Sequence, residues 1–114
     1  MNQERGFGLA MRDLGKMMKQ VQKIQQDAAR LQEELRAERL TATSGGGVVR
    51  AVTNGHGELL EVTIEPSVVD PADVGMLQDL VVAAVSEAQR SAKELYEQRM
   101  KSLAGGLGLP PGLV

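Results

Sequence analysis

The chain has 114 residues, a formal net charge of -2 and no cysteine, which excludes disulfides, thiolate metal sites and cysteine nucleophiles. Hydrophobic residues make up 42% and charged residues 25%, as in an ordinary folded domain, but Phe7 and Tyr96 are the only aromatic residues, so the core must be aliphatic. The N-terminus lacks a signal-peptide core and no apolar run approaches the roughly 20 residues needed to span a membrane, which predicts a cytoplasmic protein with no membrane partner.

The first predicted element is one long helix from about residue 9 to residue 39. Its apolar residues recur in alternating steps of three and four, which is a heptad seam: Leu14, Met17, Val21, Ile24, Ala28, Leu31 and Leu35. The segment contains no proline, and most of its other residues are good helix formers. Heptad positions c and f, away from the seam, carry the basic stripe: Arg12, Lys16, Lys19, Lys23 and Arg30. A solubilising helix face is the simplest interpretation of such a stripe.

Three short strands are predicted next, near residues 40–44, 47–54 and 58–65. In this part of the chain the pattern changes to alternation, and Val, Thr and Ile become frequent. The segment SGGG connects the first two strands, and NGHG connects the second two with an Asn-Gly pair that tolerates the positive φ angles of tight hairpins. Leu60, Val62 and Ile64 are expected to share the apolar face of the third strand. The pattern predicts a small antiparallel meander.

A second long helix is predicted after the strands. Asp70 is expected to cap it, Pro71 suits the first helical position, and Asp73 lies in the first turn, where the helix dipole favours a carboxylate. Apolar residues keep helical spacing to about residue 103, and AGGLGLPPGLV follows. The predicted fold class is therefore α+β, in the order α-β-β-β-α, with one domain over residues 1–104 and a flexible Gly/Pro tail over 105–114.

The lengths of these elements predict a homodimer. A helix of about 30 residues is about 45 Å long, whereas strands of five to eight residues span roughly 17 to 27 Å. If the chain descends the first helix and returns along the last, the start of one and the end of the other project together beyond the sheet. Their apolar stripes would be partly bare in a monomer, so we expect the chain to pair with a second copy, with twofold symmetry.

Charge is distributed unevenly along the chain. Residues 1–26 carry five basic and two acidic side chains, and residues 90–114 carry four basic and two acidic ones, giving +3 and +2. Residues 27–89 hold four basic and eleven acidic side chains, giving -7. Charges more than about 8 to 10 Å apart are largely screened at physiological salt. The two projecting ends of an acidic molecule are therefore expected to attract a polyanion such as nucleic acid.

No catalytic or metal site is predicted. His56, the only histidine, lies in the NGHG loop, and the chain has no second histidine or cysteine to complete a metal site. SGGG lacks the Lys-Ser or Lys-Thr of a phosphate-binding loop, and helix capping explains Asp70 and Asp73. No nucleophile, base and orienting group occur at recognisable spacing, so we expect neither an enzyme, nor a cofactor, nor a small-molecule substrate.

Several motifs, taken in order, resemble the YbaB/EbfC family of bacterial nucleoid-associated proteins. They are the helix KMMKQVQKIQQDAARLQEEL, the triple glycine, the NGHG hairpin, the helix start DPADVGMLQDL and the tail GGLGLPPGL. Any one of them is a weak signal, but their order is specific, and the resemblance covers nearly the whole chain.

The resemblance implies a tweezer-like homodimer that binds double-stranded DNA and alters its conformation. It also implies location in the cytoplasm and nucleoid, with roles in nucleoid organisation and gene regulation. Carried over by position, the DNA-facing candidates are the basic residues of the projecting helix ends: Arg12, Lys16, Lys19, Lys23, Arg90, Lys93, Arg99 and Lys101. The alternative is a dimeric protein-interaction module whose lysine stripe is only a solvated face.

Overall fold

The computed structural model describes the backbone of residues 2–106 and the side chains of residues 6–106. The elements, in chain order, are α1 (Asn2–Ala37), β1 (Leu40–Ser44), β2 (Val49–Thr53), β3 (Leu59–Ile64), a short 3-10 helix (Pro66–Val68) and α2 (Val74–Gly106). This order confirms the predicted α-β-β-β-α fold. α2 runs through Gly105 and Gly106, beyond the predicted end near residue 103, and the rest of the predicted tail lies outside the described residues.

The three strands form an antiparallel sheet in the order β1-β2-β3, as predicted. α2 covers one face of this sheet, and small residues on both sides form the core: Ala42, Val49, Ala51, Ala84 and Ala88. Alanines let the helix approach the strands closely, and Ser44 Oγ donates a hydrogen bond to the Leu80 carbonyl at 2.6 Å. The sheet and α2 therefore pack around one core, and we call them, with the segment that joins them, the body of the protein.

α1 begins at Asn2 rather than near residue 9. Its early glycines did not prevent this, because an interior glycine costs about 1 kcal/mol but leaves the helical hydrogen bonds intact. The helix ends at Ala37, where the Arg39 guanidinium donates to the carbonyls of Arg36 (3.1 Å) and Glu38 (2.8 Å). Arg39, predicted as the last helical residue, instead satisfies the carbonyl groups at the helix end.

The hairpin between β2 and β3 differs from the predicted Asn-Gly turn. Neither Asn54 nor Gly55 has a positive φ, and the residue of this loop that does is Gly57, at 79°. The buried side chain of Asn54 organises the loop instead, since its Oδ1 accepts hydrogen bonds from the backbone N–H groups of His56 (3.0 Å) and Glu58 (3.1 Å). Asparagine thus acts through its side chain rather than through its backbone conformation.

The predicted apolar face of β3 is correct for two of its three residues. Val62 and Ile64 pack against the core, but Leu60 is 47% exposed. Thr53 pairs with Leu59 and Val52 pairs with Glu61, so the register shifts by one residue at this point and Leu60 has no partner on β2. This bulge breaks the alternation that the prediction assumed.

α2 starts three residues later than the predicted cap implies. Asp70 and Pro71 belong to a turn, in which Asp70 Oδ1 accepts the N–H of Ala72 at 2.9 Å. Asp73 directly precedes the first helical residue, and its Oδ1 accepts the N–H of Met76, the third helical residue, at 3.2 Å. The predicted cap has the correct residue type, but Asp73 rather than Asp70 is the N-cap.

The two helices are antiparallel and overlap only in part. Arg99 of α2 contacts Glu38 and Glu34 of α1, and Leu103, one turn further along α2, lies near Asp27 and Leu31. The last turns of α2 therefore reach only the middle of α1, and the start of α1 extends further alone. This corrects the expectation that both ends project together, and it accounts for the 89 × 23 × 16 Å dimensions.

Candidate nucleic-acid interface

The projecting part of α1 is a single helix with no covering layer within the described chain. Every residue from 6 to 23 is exposed, whereas Leu31 and Leu35, further along the same seam, are buried. We call residues 6–23 the arm. At 1.5 Å per residue it is about 27 Å long. The arm thus presents all its faces to the surroundings of the single chain.

One face of the arm carries four of the predicted DNA-facing residues, Arg12, Lys16, Lys19 and Lys23. Their spacing of four, three and four residues places them in one row along the helix. None of the four forms an ion pair with any described residue. Asp13 is the only acidic residue between positions 6 and 26, so this stretch has a net charge of +3. The structure therefore brings these four residues together as a row of available cations.

The opposite face of the arm is apolar and also bare. Leu14, Met17 and Val21 are 51%, 61% and 53% exposed. Phe7, one heptad before Leu14, extends this seam by a further repeat, and it is also exposed. The sequence prediction began the seam at Leu14 and missed Phe7, although the spacing of seven residues was the signal that could have found it.

Arg90 lies on the outer surface of α2 and is balanced by acidic neighbours. Its guanidinium hydrogen-bonds Glu87, one turn before it, and Glu94 Oε1 at 2.6 Å, one turn after it. The hydrogen bond from Arg90 lowers the pKa of Glu87 and raises the pKa of Arg90. Both partners therefore stay charged at neutral pH, and Arg90 contributes little net positive charge to this surface.

Arg99 lies about half a turn of the helix away from Arg90, because nine residues advance the helix by about 900°. It therefore faces α1, where its Nη2 is 2.7 Å from Glu38 Oε1 and its Nη1 is 3.6 Å from Glu34 Oε2. The guanidinium joins the end of α2 to α1. Its contacts in the structure are those of a residue that holds the two helices together.

Lys93 and Lys101, the other two predicted residues on α2, are exposed and form no ion pair with any residue of the described part. Lys93 lies beside the β2–β3 hairpin, next to His56 and Tyr96, and Lys101 lies two turns further along the helix. The eight predicted residues thus form one row on the arm and separate positions on α2, rather than one continuous patch.

Among the described residues we find neither a cluster of metal ligands nor a helix that could span a membrane. Within residues 6–106 no three His, Asp or Glu side chains come together as metal ligands. Neither α1 nor α2, over its described length, is long and apolar enough to cross a bilayer.

The fold and the arm define an α-β-β-β-α protein with a projecting basic helix. The sequence profile of the YbaB/EbfC DNA-binding family matches residues 11–107, and the chain belongs to this family. The resemblance drawn from the motifs is therefore confirmed.

Relatives that align over most of their length support this assignment. A nucleoid-associated protein of Pelotomaculum thermopropionicum is 49% identical over 98 residues, which cover 86% of this chain and 93% of that protein. A nucleoid-associated protein of Acetivibrio thermocellus is 47% identical over 108 residues, covering 95% and 93%. The crystal structure of the uncharacterized protein HP0035 from Helicobacter pylori has the same fold, with a TM-score of 0.64 and 24% identity over 76% of this chain and 88% of that one.

Proposed function

We propose that the protein is a DNA-binding component of the bacterial nucleoid, which grips duplex DNA through the basic stripe of its arms. The observation that carries this proposal is the row formed by Arg12, Lys16, Lys19 and Lys23, which projects from an otherwise acidic molecule and has no ion-pair partner among the described residues. Family membership and the names of the relatives support the same function.

The proposed contacts are mainly to phosphate. Lysine and arginine on one helix face can follow a DNA backbone, and such contacts position a protein on the duplex without reading its sequence. Any preference for particular sites would then come from the deformability of the duplex or from a few contacts to base edges. A protein of this kind alters the conformation of DNA by holding it at several points, and we propose nucleoid organisation and gene regulation as the consequences.

The eight predicted residues are not equivalent in this proposal. The four on the arm can meet phosphate without breaking any ion pair within the described chain, and so can Lys93 and Lys101. Arg90 and Arg99 would first have to leave their carboxylate partners. We therefore assign the main contacts to the arm.

We also propose that the working unit is a homodimer with two arms. The exposed seam of the arm supports this, because apolar surface gains about 25 cal/mol for each Å² removed from water. Two arms together provide eight basic side chains. If six to eight of them neutralise phosphates, the logarithm of the binding constant should fall with the logarithm of salt concentration at a slope of about -5 to -7.

The test measures the fluorescence anisotropy of labelled duplex DNA of mixed sequence at several salt concentrations. The variant Lys16→Gln with Lys19→Gln removes two charges from each arm, or four from a dimer, so we expect weaker binding and a slope less steep by about 3 to 4. The control, Arg36→Gln with Arg50→Gln, removes the same charge from exposed residues outside the arm, at the end of α1 and on β2. Equal weakening in both double variants would mean that the arm has no special role.

The full charge reversal of Lys16, Lys19 and Lys23 to Glu should abolish retention of DNA while the dimer persists. A folded triple variant that binds with an unchanged salt slope would remove the stripe from the mechanism.

The bare apolar seam favours a second candidate function, a protein-interaction module in which the lysines only keep the arm solvated. Capture of bound proteins with and without nuclease distinguishes the two functions. A direct protein partner survives digestion of the DNA, whereas proteins joined through DNA are released.

A further inference from the structure

A small cleft lies where the β2–β3 hairpin meets α2, apart from the arm. We call it the hairpin cleft, and its 280 Å³ are lined by Gly55, His56, Gly57, Gln89, Lys93 and Tyr96. Gln89, Lys93 and Tyr96 occupy positions i, i+4 and i+7 of α2, which share one face of a helix. We propose that this cleft binds a phosphate group through Lys93 and Tyr96. If the bound phosphate belongs to DNA, this proposal rests on the DNA-binding function proposed above.

The walls of the cleft are held in place by hydrogen bonds between three elements. Gln89 Nε2 donates to the Gly57 carbonyl at 3.2 Å, which joins α2 to the hairpin. His56 Nε2 lies 3.0 Å from the Gln32 carbonyl, which joins the hairpin to α1. Because a carbonyl oxygen only accepts, this His56 nitrogen carries the proton. The cleft is therefore formed before any ligand arrives.

The backbone donors of the hairpin are already occupied. The N–H of Gly55 donates to the Leu35 carbonyl at 2.7 Å, that of His56 to Asn54 Oδ1 at 3.0 Å, and that of Gly57 to the Asn54 carbonyl at 3.0 Å. A ligand in the cleft must therefore be recognised by side chains, and not by a loop of free amides.

The side-chain donors, in contrast, are available. Within the described chain the Lys93 ammonium has no carboxylate partner and the Tyr96 hydroxyl has no hydrogen-bond partner. Glu97, one turn beyond Lys93, does not pair with it. Lys93 and Tyr96 are three residues apart on one face of α2 and both line the cleft, and an ammonium and a hydroxyl group are donors that suit phosphate oxygens.

The size of the cleft favours a single phosphate group over a larger ligand. Small-molecule sites usually measure about 300–1,000 Å³, and the 280 Å³ of the hairpin cleft lie at the small end of this range, which suits a small group such as a phosphate. The phosphate can belong to a DNA backbone or to a free nucleotide, and a titration with matched ligands distinguishes these sources.

The chain provides its own reporters for this site, since His56 and Tyr96 are its only histidine and tyrosine and both line the cleft. Their ring signals can be followed by NMR at constant pH while the full chain is titrated with dAMP, with deoxyadenosine or with a short duplex. We expect dAMP to move both signals saturably and deoxyadenosine to leave them in place. A duplex that moves them identifies DNA as the source, and a response to dAMP alone identifies a free nucleotide.

Lys93→Gln should abolish the response, and Tyr96→Phe should weaken it while the ring is kept. Arg50→Gln, which removes one charge from the exposed surface of the sheet, should leave it unchanged.

No response to any phosphate-bearing probe, or an equal response in Lys93→Gln, would overturn the cleft proposal. Duplex binding seen by anisotropy, with no movement of these signals by either dAMP or duplex, would overturn the cleft alone. A dAMP response without any duplex binding would overturn the DNA function alone.

Discussion

At the scale of single residues, Gly55 decides whether α1 and the hairpin can meet. Its N–H donates to the Leu35 carbonyl at 2.7 Å, and a Cβ at this position would lie 2.6 Å from that oxygen and 2.9 Å from the Leu35 Cα. Both atoms belong to the backbone of a helix and cannot move aside on their own. The glycine is thus required by the close approach of two elements, since its φ is not positive.

We therefore expect Gly55→Ala to lower the free energy of unfolding by about 1–3 kcal/mol, as overpacking does. Urea denaturation followed by circular dichroism measures this change. The control is Gly75→Ala in the first turn of α2, where an added Cβ has no atom within 4 Å. Alanine is the better helix former at that position, so the control should be no less stable than the parent chain. An unchanged midpoint for Gly55→Ala would mean that the hairpin can separate from α1 without destabilising the fold.

Residue types were easier to predict than residue roles. The NGHG motif correctly indicated a connection between strands, but the positive φ belongs to Gly57, while Asn54 acts through its side chain. Likewise an aspartate caps α2, but it is Asp73 and not Asp70. Neighbouring residues of the same type compete for such roles, and three-dimensional contacts such as that between Gly55 and Leu35 select among them.

At the scale of elements, periodicity predicted the helices and strands, since each requires only local spacing. The sequence also placed cations on the face of α1 opposite the seam. It did not predict where α2 ends relative to α1, because this depends on long-range packing. As a result Arg99, predicted to face DNA, lies in ion pairs with Glu34 and Glu38, and only the arm projects freely.

A comparison of Arg99→Gln with Glu38→Gln distinguishes two possible roles of Arg99, which are holding α2 against α1 and binding DNA. Both variants break the 2.7 Å ion pair between Arg99 and Glu38. Because these groups are about one-third exposed, each variant should cost less than about 1 kcal/mol of stability. We expect both to speed amide hydrogen exchange in the last turns of α2.

The same two variants have different consequences for DNA if Arg99 touches it. Since its guanidinium is occupied by carboxylates of the chain, we expect the two variants to retain similar affinity and salt slope in the anisotropy assay. Selectively weaker binding by Arg99→Gln, with a slope less steep by about 1 for each phosphate that is no longer neutralised, would return Arg99 to the DNA interface.

At the scale of the whole molecule, two kinds of surface are left for partners of different chemistry. The basic stripe of the arm suits a polyanion, and its contacts weaken as salt screens them. The seam on the other side suits apolar surface, whose association depends much less on salt. An overall charge of -2 hides this division, because the arm is basic while residues 27–89 carry -7.

This difference in chemistry gives the prediction for the assembly. We expect light scattering to give twice the mass of the chain at both low salt and about 1 M NaCl, where the Debye length is only about 3 Å, although DNA should be released at high salt. Replacing Leu14, Met17 and Val21 by Gln should weaken the dimer, because these side chains are at least half exposed in the single chain and glutamine keeps the helix.

The matched variant replaces Val69, Val74 and Val82, which are similarly exposed on the body, by Gln. If the seam forms the interface, this second variant stays dimeric while the arm variant dissociates at low concentration. The reverse result would place the interface on the body and leave both faces of the arm free for other partners. A monomer in the parent chain at every concentration would remove the dimer, and the expected salt slope would then halve, because a single arm offers only four of the eight basic side chains.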